Sequence, residues 1–221
     1  LFAPAVGNFE KDLVAKGLSQ AQTKMKLTRT NAENSQATSF GVNKGVVILG
    51  DSVALRSKDQ IESSIDNVAI DAVVSRNLST INDLLKDYAD SNALAKDVVI
   101  AGGVNEIDDY KGVINKMIKN LPKGHHIIFV TPYNGSKSGS KAVSLVQLRK
   151  YELEMAKKYD FVTVADWYQV AKENISIWNG TDGVHFGSDS DSINRGAKLY
   201  TNTIKEAIAK ANQKPVKGGK K

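Results

Sequence analysis

Three side chains in two short stretches have the types and spacing that acyl chemistry needs: Ser52 in "GDSVAL" (50–55), and Asp182 and His185 in "NGTDGVHFG" (179–187). A serine hydroxyl becomes a nucleophile only beside a general base, and that base needs an acid to orient it. A turn running from Asp182 to His185 folds the carboxylate onto Nδ1 of the ring and leaves Nε2 for Ser52, which compresses triad logic into one loop. Each stretch alone has a plainer reading. Serine is a preferred helix N-cap, so Ser52 could serve as one; "TDGVH" could be an ordinary turn built on an aspartate. Taken together, the two stretches favour the chemical reading.

A third group completes the set. Asn105 in "GGVNE" (102–106) offers a side-chain amide that can donate to an oxyanion beside the Ser52 backbone N–H. Donors of this kind contribute about 3 kcal/mol to a transition state. The alternative is a turn asparagine, common at strand ends. The remaining histidines, His125 and His126, directly precede an apolar run and are read as structural.

Five apolar runs must position these residues: "VVIL" (46–49), "VAIDAVV" (68–74), "VVIA" (98–101), "IIFV" (127–130) and "FVTVAD" (161–166). Their unbroken Val/Ile character is that of strands buried on both faces. Amphipathic stretches at 78–89, 110–120 and 142–159, and a last one at 193–211, have helical spacing. Alternating strands and helices predict a three-layer α/β/α domain with a five-stranded parallel, flavodoxin-like sheet. Ligands of such sheets bind beyond the carboxyl ends of the strands. "GDS" and "GGVNE" follow the first and third runs, whereas His125 and His126 fall at the opposite end.

Residues 8–26 read as a polar helix and "TRTNAENSQATS" as a linker, which gives an N-terminal helix and linker over 1–43, a catalytic domain over 44–211 and a disordered Lys-rich tail over 212–221. The 221 residues suit one domain with appendages, and 41% hydrophobic content is enough for its core. Beginning at Leu1 without a charged segment followed by an apolar one, the sequence reads as a piece of a longer chain. No cysteine is present, which excludes disulfides, thiolate zinc sites and a cysteine nucleophile. The net charge of +6 invites a nucleic-acid reading, but lysines concentrate only in "KPVKGGKK", so no nucleic-acid partner is expected. "GDSVA" lacks the closing glycine of the α/β-hydrolase elbow. "SDSDS" (188–192) lacks the bidentate glutamate of a calcium loop and is read as N-capping before the last helix. No metal site is expected.

In this order and over this pattern, Gly50-Asp51-Ser52, Gly103-Val104-Asn105 and Asp182-Gly183-Val184-His185 resemble the GDSL-like SGNH hydrolases. The resemblance covers about residues 44 to 210 and implies Ser52 as nucleophile, His185 as base, Asp182 as orienting acid and Asn105 as oxyanion donor. Most of that family carries a glycine after the second strand; here the region reads "VVSRN", with Ser75 in the glycine's place. This departure is similar to the extracellular SGNH domain of Gram-positive peptidoglycan O-acetyltransferases. It implies an oxyanion hole of Ser52, Ser75 and Asn105, an acetyl-serine intermediate and no cofactor. It further implies glycan strands of peptidoglycan as acceptor, an acetyl donor supplied through an upstream membrane acyltransferase domain, and a place on the outer face of the cell membrane. Val104 and Val184 are candidates for holding water off the intermediate, and Tyr133 and Trp178 for stacking on sugar rings. An O-acetyl or lipid esterase keeps the same triad; a non-catalytic cell-wall module keeps only the fold.

Overall fold

The computed structural model describes residues 8–105, 109–136 and 140–220. Five strands, β1 Val46–Gly50, β2 Val68–Ala72, β3 Asp97–Ala101, β4 His126–Val130 and β5 Val162–Ala165, form one parallel sheet in the order β2-β1-β3-β4-β5. This is the doubly wound, flavodoxin-like order. All five positions of β1, β3 and β4 are buried, as their continuous apolar runs require. β2 lies at the edge and is only partly covered.

Successive side chains of a strand point to opposite faces, so each strand feeds two cores. Val46 and Ile48 pack with α2 (Ser52–Arg56), α3 (Lys58–Ser64), α7 (Trp167–Glu173) and α8 (Ser190–Ala211) on one face. Val47 and Leu49 pack with α4 (Leu78–Asp90), α5 (Tyr110–Asn120) and α6 (Ser140–Lys158) on the other. The "SDSDS" segment caps α8: Asp189 accepts from the Ser192 amide, and the Ser192 hydroxyl accepts from the Asp189 amide.

Two expectations about the ends of the chain are corrected. Residues 28–39 are not a linker: one helix, α1, runs unbroken over Asn8–Ser39. Neither Gly nor Pro interrupts residues 18–40, and Thr28, Ser35 and Thr38 turn their hydroxyls back onto carbonyls one turn earlier. Their polarity is thus absorbed by the helix itself. Nor is the Lys-rich tail disordered over 212–220. Val216 is buried, the Lys217 amide donates to the His125 carbonyl, and the Lys217 carbonyl accepts from the Gly124 amide. The Lys217 ammonium donates to the carbonyls of Ile118, Lys119 and Leu121, the groups that the end of α5 leaves without helical partners.

Candidate active site

Ser52 stands where β1 gives way to α2, and the N-cap there is its neighbour. Asp51 takes the Val53 amide on its carboxylate at 3.0 Å, which leaves Ser52 as the first helical residue with its hydroxyl unspent. Ser52 Oγ lies 2.7 Å from His185 Nε2. On the other side of the ring, Nδ1 lies 2.7 Å from Asp182 Oδ2, while Asp182 Oδ1 accepts from the backbone amides of Val184 (2.9 Å) and His185 (2.8 Å). The turn thus closes on its own carboxylate, and Ser52, His185 and Asp182 form one continuous chain of hydrogen bonds.

Close packing holds this loop in place. Gly183 has φ of +78°, and a Cβ there would stand 2.6 Å from the Ser136 amide nitrogen. Only glycine suits both the backbone conformation and the contact. The Gly135 amide donates to the Gly183 carbonyl, which ties the loop after β4 to the loop bearing Asp182 and His185. Gly103, at φ +116°, brings the backbone before Asn105 against Leu148, where a Cβ would approach to 2.7 Å.

The two carboxyls nearest the serine titrate in opposite directions. Burial pushes Asp51 up to about 6, against the pull of the Val53 and Ala54 amides and the His185 ring. Burial would also raise Asp182, but hydrogen bonds from the His185 ring and from the His185 and Val184 amides outweigh it and hold the carboxyl down at about 2. The carboxylate behind the imidazole therefore stays ionised throughout the physiological range and accepts from Nδ1, which leaves Nε2 to face Ser52.

The Asn105 side-chain amide donates to the Arg76 carbonyl at 3.2 Å, so the loops after β2 and β3 meet beside the serine. Ser75, immediately before, is exposed, with a left-handed backbone at φ +60°. Val104 is half-buried and lines a cleft of only about 10 Å³ with Asp51, Val53, Tyr133 and Trp167. Val184 is half-buried against the core on the α8 face of the sheet. Trp178 gives its indole N–H to the Ala171 carbonyl and packs 5.0 Å from Tyr133, with Trp167 and Phe186 behind it. No cluster of groups able to hold a metal ion occurs among the described residues.

Two arginines escaped sequence reasoning. Arg56, one turn after Ser52, donates to the carbonyls of Phe186 and Gly187 at 2.6 and 2.7 Å and so clamps the helix of Ser52 to the loop of His185. Arg76 Nη1 reaches the Gly50 carbonyl and both the carbonyl and carboxylate of Asp71, fastening the ends of β1 and β2. Their positions, four residues after Ser52 and inside "SRN", are the available signal.

The C-terminal catalytic domain of Streptococcus pneumoniae peptidoglycan O-acetyltransferase A (OatA), solved with a methylsulfonyl adduct, matches with a TM-score of 0.77 and 44% identity, covering 80% of this chain and 98% of that one. The chain belongs to the OatA catalytic-domain family. A putative peptidoglycan O-acetyltransferase of Bacillus subtilis, YrhL, is 28% identical over 165 residues; this chain spans 75% of its own length there but only 24% of that relative. A lipolytic G-D-S-L family protein of Veillonella parvula shares the fold at TM-score 0.60 and 15% identity. No family model matches. The OatA likeness and the GDSL/SGNH fold agree with the resemblance drawn from the three motifs.

Proposed function

We propose that this domain transfers acetyl to a muramyl hydroxyl of peptidoglycan through an acetyl-Ser52 intermediate. The observation that carries the reading is the Ser52–His185–Asp182 hydrogen-bond chain in a protein of the OatA family. His185 Nε2 takes the Ser52 proton as Oγ attacks the acetyl carbonyl of the donor. The tetrahedral oxyanion is met by the Ser52 amide, by Ser75 and by the Asn105 Nδ2–H that Arg76 does not occupy. The imidazolium returns its proton to the departing donor group, leaving acetyl-Ser52. In the second half His185 takes the proton of the sugar hydroxyl as its oxygen attacks the acetyl carbon, and the imidazolium gives that proton to Ser52 Oγ as the acetyl–Oγ bond breaks. Val104 and Val184 beside the reacting atoms disfavour water as the competing acceptor.

The domain would work outside the cell with acetyl delivered by an upstream membrane acyltransferase segment, a reading that rests on the family resemblance. Among the described residues, no helix is long and apolar enough to cross a membrane. The test supplies an activated acetyl ester with and without muramyl oligosaccharides and follows acetylated glycan and free acetate by mass spectrometry. Glycan-bound acetate that needs both Ser52 and acceptor is the expected result. Acetate release indifferent to acceptor but lost in Ser52→Ala would make the domain an esterase, and acetate transfer surviving Ser52→Ala would remove the mechanism.

A further inference from the structure

The cleft of about 10 Å³ lined by Asp51, Val104 and Tyr133 cannot hold a sugar ring, which leaves the surface for an acceptor strand. One surface groove shares Tyr133 with that cleft. It measures about 570 Å³, within the ~300–1,000 Å³ typical of small-molecule sites. Tyr133, Asn134, Gly135, Gln147, Tyr168 and Lys172 line it, with the exposed Val143 and Val146 at its edge. Tyr133 also lines the cleft at Asp51, and Gly135 is hydrogen-bonded to Gly183 in the loop between Asp182 and His185.

A separate network fixes the Tyr168 ring. Thr131 Oγ1 accepts from the Tyr168 amide at 2.8 Å and donates to Asp166 at 2.9 Å. Asp166 is gripped by Arg149 through two bonds of 2.8 and 2.6 Å, and the Arg149 guanidinium lies 5.3 Å from the Tyr168 ring centroid. Tyr133 meets Tyr168 edge to face, 5.6 Å apart at 74°. None of these groups is needed for triad chemistry. Their common result is a rigid aromatic wall that pays little ordering entropy when a ligand arrives. The apolar C–H face of a pyranose suits such a wall. Gln147 supplies an amide for hydroxyl or acetamido groups, and Lys172 a positive charge for carboxylates along an anionic strand.

We propose that this groove holds the saccharide of the acceptor strand that flanks the residue being acetylated, with Tyr168 as its stacking platform. The proposal rests on the reading of the domain as a glycan acetyltransferase and deepens it. Stacking on Trp178, expected from sequence, passes here to Tyr168, because Trp178 is committed to the Ala171 carbonyl and the aromatic core.

The experiment compares kcat/KM for transfer to N-acetylmuramic acid alone and to a hexasaccharide of alternating N-acetylglucosamine and N-acetylmuramic acid. Wild type should prefer the longer acceptor. In Tyr168→Ala that preference should fall about tenfold, the size of one lost aromatic contact, while Tyr168→Phe keeps it. Val146→Asp, at an exposed position where folding is not at stake, should lower it as well by repelling the anionic strand. A defect in the scaffold lowers both acceptors together and leaves the ratio unchanged. An unchanged ratio in Tyr168→Ala, or equal use of the two acceptors by wild type, overturns the proposal. If wild type acetylates neither glycan, the transferase reading fails and the groove is judged by titration calorimetry of the hexasaccharide into Ser52→Ala protein. Binding weakened at least tenfold by adding Tyr168→Ala keeps the groove; no binding, or equal binding, ends it.

Discussion

Two histidine–aspartate pairs sit at opposite ends of the sheet with the same separation. His185 Nδ1 lies 2.7 Å from Asp182, beyond the carboxyl ends of the strands, and His126 Nδ1 lies 2.7 Å from Asp97, at their amino ends. What separates them is the second ring nitrogen. His126 Nε2 is spent on the Lys214 carbonyl at 2.9 Å, and the ring is wholly buried. His185 Nε2 faces the Ser52 hydroxyl, and its side chain is 37% exposed. A carboxylate behind an imidazole therefore does not make a general base. What suits His185 to the proposed role of base is a far nitrogen left to a hydroxyl that can give up a proton, within reach of solvent.

The largest effects follow from exchanging the fates of these two rings. His185→Ala should lower the rate of acetyl transfer by about 10⁴-fold or more while shifting the unfolding free energy by less than about 1 kcal/mol, as read from urea titration. His126→Ala should do the reverse. It leaves buried Asp97 with the Lys96 ammonium at 3.8 Å, and the loss of the hydrogen-bonded partner should cost about 3 kcal/mol in the same titration. Activity per folded molecule should be retained. A stable but inactive His126→Ala protein would break the contrast between the two ends.

A subtler difference concerns the buried carboxyl beside the serine. Asp51 titrates near 6 in the fold against 3.8 unfolded, so the native state binds the extra proton between those values. Stability should then fall as pH rises from about 4 to about 6, and the full penalty, on the order of 3 kcal/mol, is present above 6. Asp51→Asn should flatten this slope in unfolding measurements made every half pH unit. Asp182 has the opposite sign: its stabilising contribution is present above 3.8 and is lost as pH falls through about 2. A wild-type slope that survives in Asp51→Asn would assign the titration to another group.

The parts of the molecule legible in the sequence are those whose cause is local. β1, β3 and β4 announce themselves because burial on both faces demands continuous Val and Ile, and the Asp182–His185 turn because three residues suffice to close it. Ser52 was open to two readings because the N-cap preference of serine is real; only the geometry assigns the cap to Asp51. The order of residues 212–220 is hidden for the opposite reason. A polar, Lys-rich segment has no apolar period, and what orders residues 212–220 is contact with carbonyls nearly a hundred positions earlier in the chain. Arg56, Arg76 and Tyr168 belong to the same class, since each acts where loops distant in sequence meet.

The strap of residues 212–220 also has an engineering consequence. It runs along the starting edges of the strands, where Gln36 of α1 donates to the Lys220 carbonyl, so both appendages are anchored on the side of the domain farthest from Ser52. A solid support, fluorophore or fusion partner joined through residue 220 would sit behind the sheet and leave the catalytic face turned outward. Cutting the strap just after Asn212, by contrast, would strip His126 of the Lys214 carbonyl and α5 of its lysine cap while Ser52, Asp182 and His185 remained in the polypeptide.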